Sequence, residues 1–205
     1  MGLAMLLAID TSTAACTAAL IDSDGALIDS RDEVIGRGHS EQLVPMLDEL
    51  LGGGRVDTIL VGVGPGSFTG IRVGIAAAQG LAIGWNAELH GMSSLALLAA
   101  GSPASPCVAA AMIGGHGELF VQQFGAGLAP ETPVLNLRPE DAAEAISAPL
   151  VVGPGASQLV AARGTGEARE TWPSAANALT VPVSLRTMPP KPVYARAPDA
   201  RAKAA

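Results

Sequence analysis

Two short segments of the chain carry residues whose types and spacing could do phosphate chemistry. The first is Asp10-Thr11-Ser12-Thr13, which closes an apolar run. A carboxylate in such a turn can hold a hydrated divalent cation, and hydroxyls and turn amides can cradle phosphate oxygens. The same residues equally make a self-contained turn in which Asp10 and Thr11 satisfy nearby backbone groups. The second segment is Gly64-Pro65-Gly66-Ser67-Phe68-Thr69-Gly70. Anions bind where a glycine-rich loop enters a helix N-terminus. Asp10, Thr11, Ser12, Gly64, Gly66 and Ser67 therefore form a candidate vestigial phosphate site. The loop is not a Walker loop, because no Gly-Lys-Ser/Thr closes it. It reads equally as a tight strand-to-helix connection capped by Ser67 or Thr69. Phe68 is unusual in such a loop and could anchor a partner.

Nothing else in the chain is arranged for catalysis. Ser67 has no identifiable base, so nucleophilic chemistry is unsupported. His39, His90 and His116 stand apart, and no His-x-x-x-His, Cys-x-x-Cys, Gly-x-Ser-x-Gly or Rossmann glycine pattern occurs. No catalytic residue and no metal site are expected. His39 reads as a structural or capping residue. Val151-Val152-Gly153-Pro154-Gly155-Ala156 reads as a structural turn or a degenerate nucleotide-side loop.

The elements that must position these segments follow from periodicity. Apolar runs predict strands at 3–9 and 14–21. Asp22-Ser23-Asp24-Gly25 is a turn signal, and residues 26–34 read as a third, more polar strand near an edge. Residues 39–51 have helical spacing, with Leu43, Met46, Leu47, Leu50 and Leu51 on one face, Ser40 as N-cap and Gly52-Gly53-Gly54 as the stop. A strand at 56–63, the glycine loop at 64–69, a helix at 70–84, a strand at 87–90 and a helix at 93–100 complete the first half. The order β-β-β-α-β-α-β-α predicts a ribonuclease-H-like α/β lobe, a mixed sheet with helices on both faces. Residues 101–106 read as a linker. Strands at 107–113 and 118–124, a short helix after Pro139, a strand at 150–152 and a helix at 156–162 suggest an abbreviated second copy. The expected boundaries are 1–103 for the first lobe, 104–186 for the second and 187–205 for a Pro/Ala-rich basic tail.

The helix at 70–84 is chemically odd. Gly70, Gly74, Ala78 and Ala82 recur at i+4, with a second small ridge at Ala76, Gly80 and Gly84, and only Arg72 and Gln79 are clearly polar. Each glycine disfavours an isolated helix by roughly 1 kcal/mol relative to alanine. Close packing must offset that cost. One face has to cover its own sheet, so the other is expected at a subunit interface, with Phe68, Gly70, Ile71, Gly74, Ala77, Ala78 and Leu81 as the candidate contacts.

Composition bounds the function. The 205 residues are 49% hydrophobic, 15% charged and only 3% aromatic, with a net charge of -7. Such a chain is not disordered, and it is a poor sole ligand for nucleic acid. Residues 186–205 hold five basic residues (Arg186, Lys191, Arg196, Arg201 and Lys203) against Asp199. Such a tail is either solvated or helps a complex to touch RNA. Two cysteines, Cys16 and Cys107, make no disulfide framework and suggest a reducing cytosol. The apolar N-terminus lacks a basic flank and is broken by Asp10, so it reads as a strand rather than a signal peptide. No apolar run reaches 18 residues, so no membrane partner is expected.

Together the stretches LLAIDTSTAACTAAL, HSEQLVPMLDELL, GVGPGSFTGIRVGIAAAQGLAIG, GMSSLALLA and PVYARAPDAR resemble the TsaB (YeaZ) family. The match is dense over residues 5–100 and sparse over 101–190. The resemblance implies two ribonuclease-H-like lobes of the actin, sugar-kinase and chaperone-ATPase superfamily, and a cytoplasmic location. It implies a non-catalytic scaffold and activator subunit of the bacterial machinery that makes threonylcarbamoyladenosine (t6A) in tRNA. The implied partners are a TsaD-like catalytic subunit, a TsaE-like ATPase, tRNA only through the complex, and a second copy of the chain when the partner is absent. ATP would be used by the complex, with no cofactor held by this chain alone. TsaB-like chains often carry Asp-Ala-Arg where this sequence has Ile113-Gly114-Gly115, so the second acid of the superfamily's ATPases is missing. The competing readings are a stand-alone ATP-binding phosphotransferase or ATPase, a glycoprotease-like metallopeptidase, and a free homodimeric binding module.

Overall fold

The computed structural model describes residues 5–102 and 105–195. The expected strand start at Leu3 and Ala4, the linker residues Pro103 and Ala104, and the tail from residue 196 on, with Arg196, Arg201 and Lys203, lie outside the described residues.

The first sheet grows from three antiparallel strands, β1 (Leu6–Asp10), β2 (Ala15–Ile21) and β3 (Leu27–Val34). Helix α1 (His39–Leu51) then returns the chain to β4 (Thr58–Gly62), which lies parallel to β1. Helix α2 (Phe68–Trp85) leads to β5 (Glu88–Met92), parallel to β4. The strand order is β3-β2-β1-β4-β5. Helix α3 (Ser94–Ala100) follows, and all seven of its residues are buried.

The second sheet repeats the plan strand for strand. β6 (Val108–Ile113), β7 (Leu119–Phe124) and β8 (Leu135–Leu137) form the meander. Helix α4 (Pro139–Ala145) precedes β9 (Leu150–Val152), parallel to β6. Helix α5 (Ala156–Arg163) precedes β10 (Glu167–Arg169), parallel to β9. The order β10-β9-β6-β7-β8 is that of the first sheet read from its other edge. A 3-10 segment at Ala175–Thr180 stands where the first lobe has α3. Two ribonuclease-H-like lobes in an α/β chain, the second with shorter elements, are thus what the chain forms.

Side-chain alternation makes the layers. In β1, Leu7 and Ile9 point to a core closed by α1 and α2, while Ala8 points to the opposite core shared with α3. Strands buried on both faces read as continuous apolar runs. The shared core joins Ala19, Leu60 and Met92 of one sheet to Ala110, Met112 and Phe124 of the other through α3, which is apolar all round. A third core lies beneath α4 and α5.

Local signals explain most element ends. Helix α1 starts after Gly38, which is in the left-handed region and takes the place expected of Ser40. The Ser40 hydroxyl donates instead to Glu41, one residue on. Gly52, at φ 54°, ends the helix. Helix α2 begins at Phe68, two residues earlier than expected, because Ser67 Oγ accepts the Gly70 amide. Proline opens α4 at its first helical position, where its missing N–H costs nothing.

The chain then crosses back to the first lobe. Helix α6 (Val183–Arg186) is followed by an extended strap. Met188 makes an antiparallel bridge with Gly91 on the outer edge of β5, and the Val193 amide donates to Val63 O at 2.8 Å. No helix among the described residues is long and apolar enough to cross a membrane.

Candidate functional site

Asp10 ends β1 and is fully buried. Its Oδ1 accepts from Ser12 N at 2.8 Å and from Ser12 Oγ at 2.6 Å. Its Oδ2 accepts from Ser94 Oγ at 2.6 Å, and that hydroxyl accepts the Gly64 amide at 3.1 Å. Burial pushes the Asp10 carboxyl above the usual carboxylate range, and the bonds from Ser12 and Ser94 and the nearby His39 pull it partly back. A Cβ at Gly62 would run into the same carboxylate. The acid therefore points into the junction of β4 and α3 rather than out of it.

The two sequence motifs meet there and bond to each other. Thr11 Oγ1 donates to Gly70 O at 2.7 Å, and the Ser67 amide donates to Ser12 O at 2.7 Å. Thr11 and Ser12 are each 1% exposed. The amides of Ser12, Gly64, Ser67 and Gly70 all have partners inside the joint. A buried polar group with its partners already in place is a structural contact. The six residues of the candidate phosphate site are thus brought together, but as a closed clasp. This donor set does not fit a nucleotide's phosphates, because these four amides and the carboxylate are already used.

A cleft of about 470 Å³ separates the lobes beside the clasp. One wall has Ser12, Gly66 and Phe68, and the other has Met112, Ile113 and Trp172. Ile113 ends β6 as Asp10 ends β1, so the position facing the clasp holds an exposed isoleucine rather than a second acid. His39 is buried, with Nε2 3.3 Å from Ala15 O. No cluster of three or more His, Cys, Asp or Glu side chains that could hold a metal occurs among the described residues.

Helix α2 divides the candidate interface residues. Gly70, Ile71, Gly74 and Ala78 face inward. A Cβ at Gly70 would strike Thr11 O, and one at Gly74 would strike Thr11 Oγ1. These four residues, expected at an interface, instead belong to the packing of the lobe on itself. Ala77 and Leu81 are half-buried in a groove of about 430 Å³ between α1 and α2, with Val44, Leu51 and Trp85. Phe68 is 57% exposed. The outward ridge is Phe68, Arg72, Ala76, Gly80 and Gly84, with Ile83 beside it 84% exposed.

Two site features escape sequence reasoning. Ser94 bonds to a carboxylate 84 residues away, and nothing local marks it. Tyr194 lies on the segment read as tail, yet its hydroxyl accepts from Arg72 Nε at 3.1 Å. The PVY stretch within the resemblance was the available signal.

Two such lobes, each a five-stranded mixed sheet of the same strand order, define an α/β protein of two ribonuclease-H-like repeats. The TsaD family profile, described as tRNA N6-adenosine threonylcarbamoyltransferase, matches residues 31–129. The Escherichia coli tRNA threonylcarbamoyladenosine biosynthesis protein TsaB is 39% identical over 102 residues, covering 47% of this chain and 43% of that protein. Its Haemophilus influenzae counterpart is 42% identical over 99 residues, 46% and 41% of the two chains. The chain thus spans under half the length of these curated relatives. YeaZ from Pseudomonas aeruginosa superimposes with a TM-score of 0.77 at 28% identity, over 94% of this chain and all of that one. A second Pseudomonas aeruginosa structure, described as similar to peptidase YEAZ, gives 0.79 at 29%, over 95% and 100%. The chain is thus similar to TsaB proteins in the sequence of about half its length and to YeaZ structures in fold over nearly all of it.

Proposed function

We propose that the chain takes part in t6A formation on tRNA as a non-catalytic subunit that binds and activates a TsaD-like catalytic subunit. The observation that carries the docking part is the outward side of α2. Its small ridge and Ile83 are open to solvent although the same helix is tightly packed on its other side. Gly80 and Gly84 have no neighbour within 4 Å of a built Cβ, so another helix can approach their backbone closely. The names of the curated relatives support the pathway, and the TsaD profile match supports a partner whose first lobe is built on the same plan. Activation would be a population shift: the chain binds the competent form of its partner better than the idle form. TsaE-like ATPase, tRNA and ATP enter this scheme through the complex. The stand-alone ATPase reading gains nothing from a clasp whose donors are already paired.

The test is t6A formation on tRNA by the partner proteins, supplied with ATP, threonine and bicarbonate, with the chain present and then omitted. The expected result is activity that requires the chain and none from the chain alone. Ile83→Asp should reduce that activity at least tenfold while the protein stays folded, because it places a charge in an apolar contact. Equal activity without the chain would overturn the reading.

A further inference from the structure

We infer that the C-terminal strap completes the docking surface: Tyr194 on the strap and Phe68 on α2 hold Arg72 ready for a carboxylate of the TsaD-like partner. The inference rests on the docking role proposed above. Arg72 is the one charged residue in the 18 residues of α2. Its guanidinium carbon stands 3.5 Å above the Phe68 ring centroid and 5.8 Å from that of Tyr194. The two rings lie 5.8 Å apart, tilted by 31°. Nε is engaged by the Tyr194 hydroxyl. Both terminal nitrogens are without a hydrogen bond or ion pair among the described residues. All three side chains stay exposed, Phe68 at 57% and Tyr194 at 50%.

Such a cluster has the properties of a binding hot spot. Arginine, tyrosine and phenylalanine are enriched at interfaces. A guanidinium already stacked and bonded through one nitrogen loses less freedom when it meets a carboxylate, and its remaining fork matches that group bidentately. The strap gives the cluster its rigidity, since Val193 is tied to Val63 and Met188 to Gly91. Phe68 and Arg72 open the same ridge that continues through Ala76, Gly80 and Gly84, so the cluster is continuous with the proposed helical contact. The occupant follows from charge. A second copy pairing α2 on α2 brings Arg72 no acid, because α2 has none. A different chain of the same plan would supply one wherever its docking helix carries an acid, and such a chain is the inferred partner.

The experiment is calorimetric binding of Arg72→Glu, Arg72→Gln, Tyr194→Ala and Ile83→Asp to the organism's own TsaD-like subunit, with thermal unfolding of each as a fold control. Arg72→Glu should weaken binding about 100-fold, and Arg72→Gln and Tyr194→Ala about tenfold each. Wild-type affinity should fall with added salt, and that dependence should shrink in Arg72→Gln. If Ile83→Asp abolishes binding while the Arg72 and Tyr194 variants bind as wild type, the strap inference fails and the docking role stands. If none of the variants affects binding, the docking role fails with it. Sedimentation of the chain alone separates the occupants. Arg72→Glu that weakens self-association as strongly as partner binding would assign the cluster to a second copy, overturning the inference.

Discussion

Asp10 is the residue on which the clasp turns, and its burial has a measurable sign. The native carboxyl is raised above its unfolded value chiefly by loss of water. The folded chain therefore holds that proton more tightly than the unfolded chain does. The stability tied to it is complete below the usual carboxylate range, about pH 4, and is lost as pH rises through the raised native value. In Asp10→Asn nothing titrates at this position. The stability of wild type relative to Asp10→Asn should therefore decline between about pH 4 and neutrality, as read by denaturant unfolding at several pH values. A difference that stays flat or grows would mean that the Ser12 and Ser94 bonds outweigh burial. Asp10→Ala is a different perturbation, because it leaves both hydroxyls and the Ser12 amide without their acceptor. It should cost about 3 kcal/mol near pH 4, and less as the pH rises through the raised native value.

At the scale of the element, α2 carries two ridges of small residues that serve opposite purposes. Gly74 faces Thr11 and Val61, and Gly80 faces open space. Gly74→Val should destabilise the fold by about 3 kcal/mol through overpacking, whereas Gly80→Val should leave thermal unfolding nearly unchanged and weaken partner binding at least tenfold. Reversal of the two effects would exchange the roles of the ridges. Both ridges were legible in the sequence as i+4 repeats, but which one faces in was not. That choice is made by Thr11, 59 residues before its bonded partner Gly70, and helical spacing carries no information about a neighbour so far away. The first lobe's element order was legible because Leu7, Ile9, Ile59 and Val61 belong to clear apolar runs. β8 and β10 were not: Leu135-Asn136-Leu137 is too short for its alternation to stand out, and Glu167-Ala168-Arg169 is short and exposed, with Ala168 between two charges. The clasp residues were visible as motifs. That they bond to one another rather than to a ligand depends on Ser94 and on the fold.

In the molecule as a whole, the lobes are joined by shared parts rather than by a simple contact. α3 is buried between the sheets, and the 3-10 segment reaches back to the first lobe, where the Ala175 amide donates to Thr17 Oγ1 at 2.7 Å and Ser174 Oγ donates to Asp32 at 2.8 Å. The strap extends this exchange to the far edge of β5. Ending the chain after Thr187 should therefore lower stability by about 2 kcal/mol through lost packing of Met188 and Val193. It should also promote association through the bared strand edge, seen as a lower unfolding temperature together with increased light scattering. An unchanged unfolding temperature would make the strap ornamental to the fold. The strap also sets an order of events during synthesis. Residues up to Ala100 supply the strands and helices of the first lobe, yet the edge of β5 waits for Met188 and Val193. At synthesis rates of about 5–20 residues per second, the intervening stretch takes roughly 5 to 20 s to translate. For that interval the half of the protein made first is the half left unfinished, with the Gly91 backbone open to whatever strand a nascent neighbour presents.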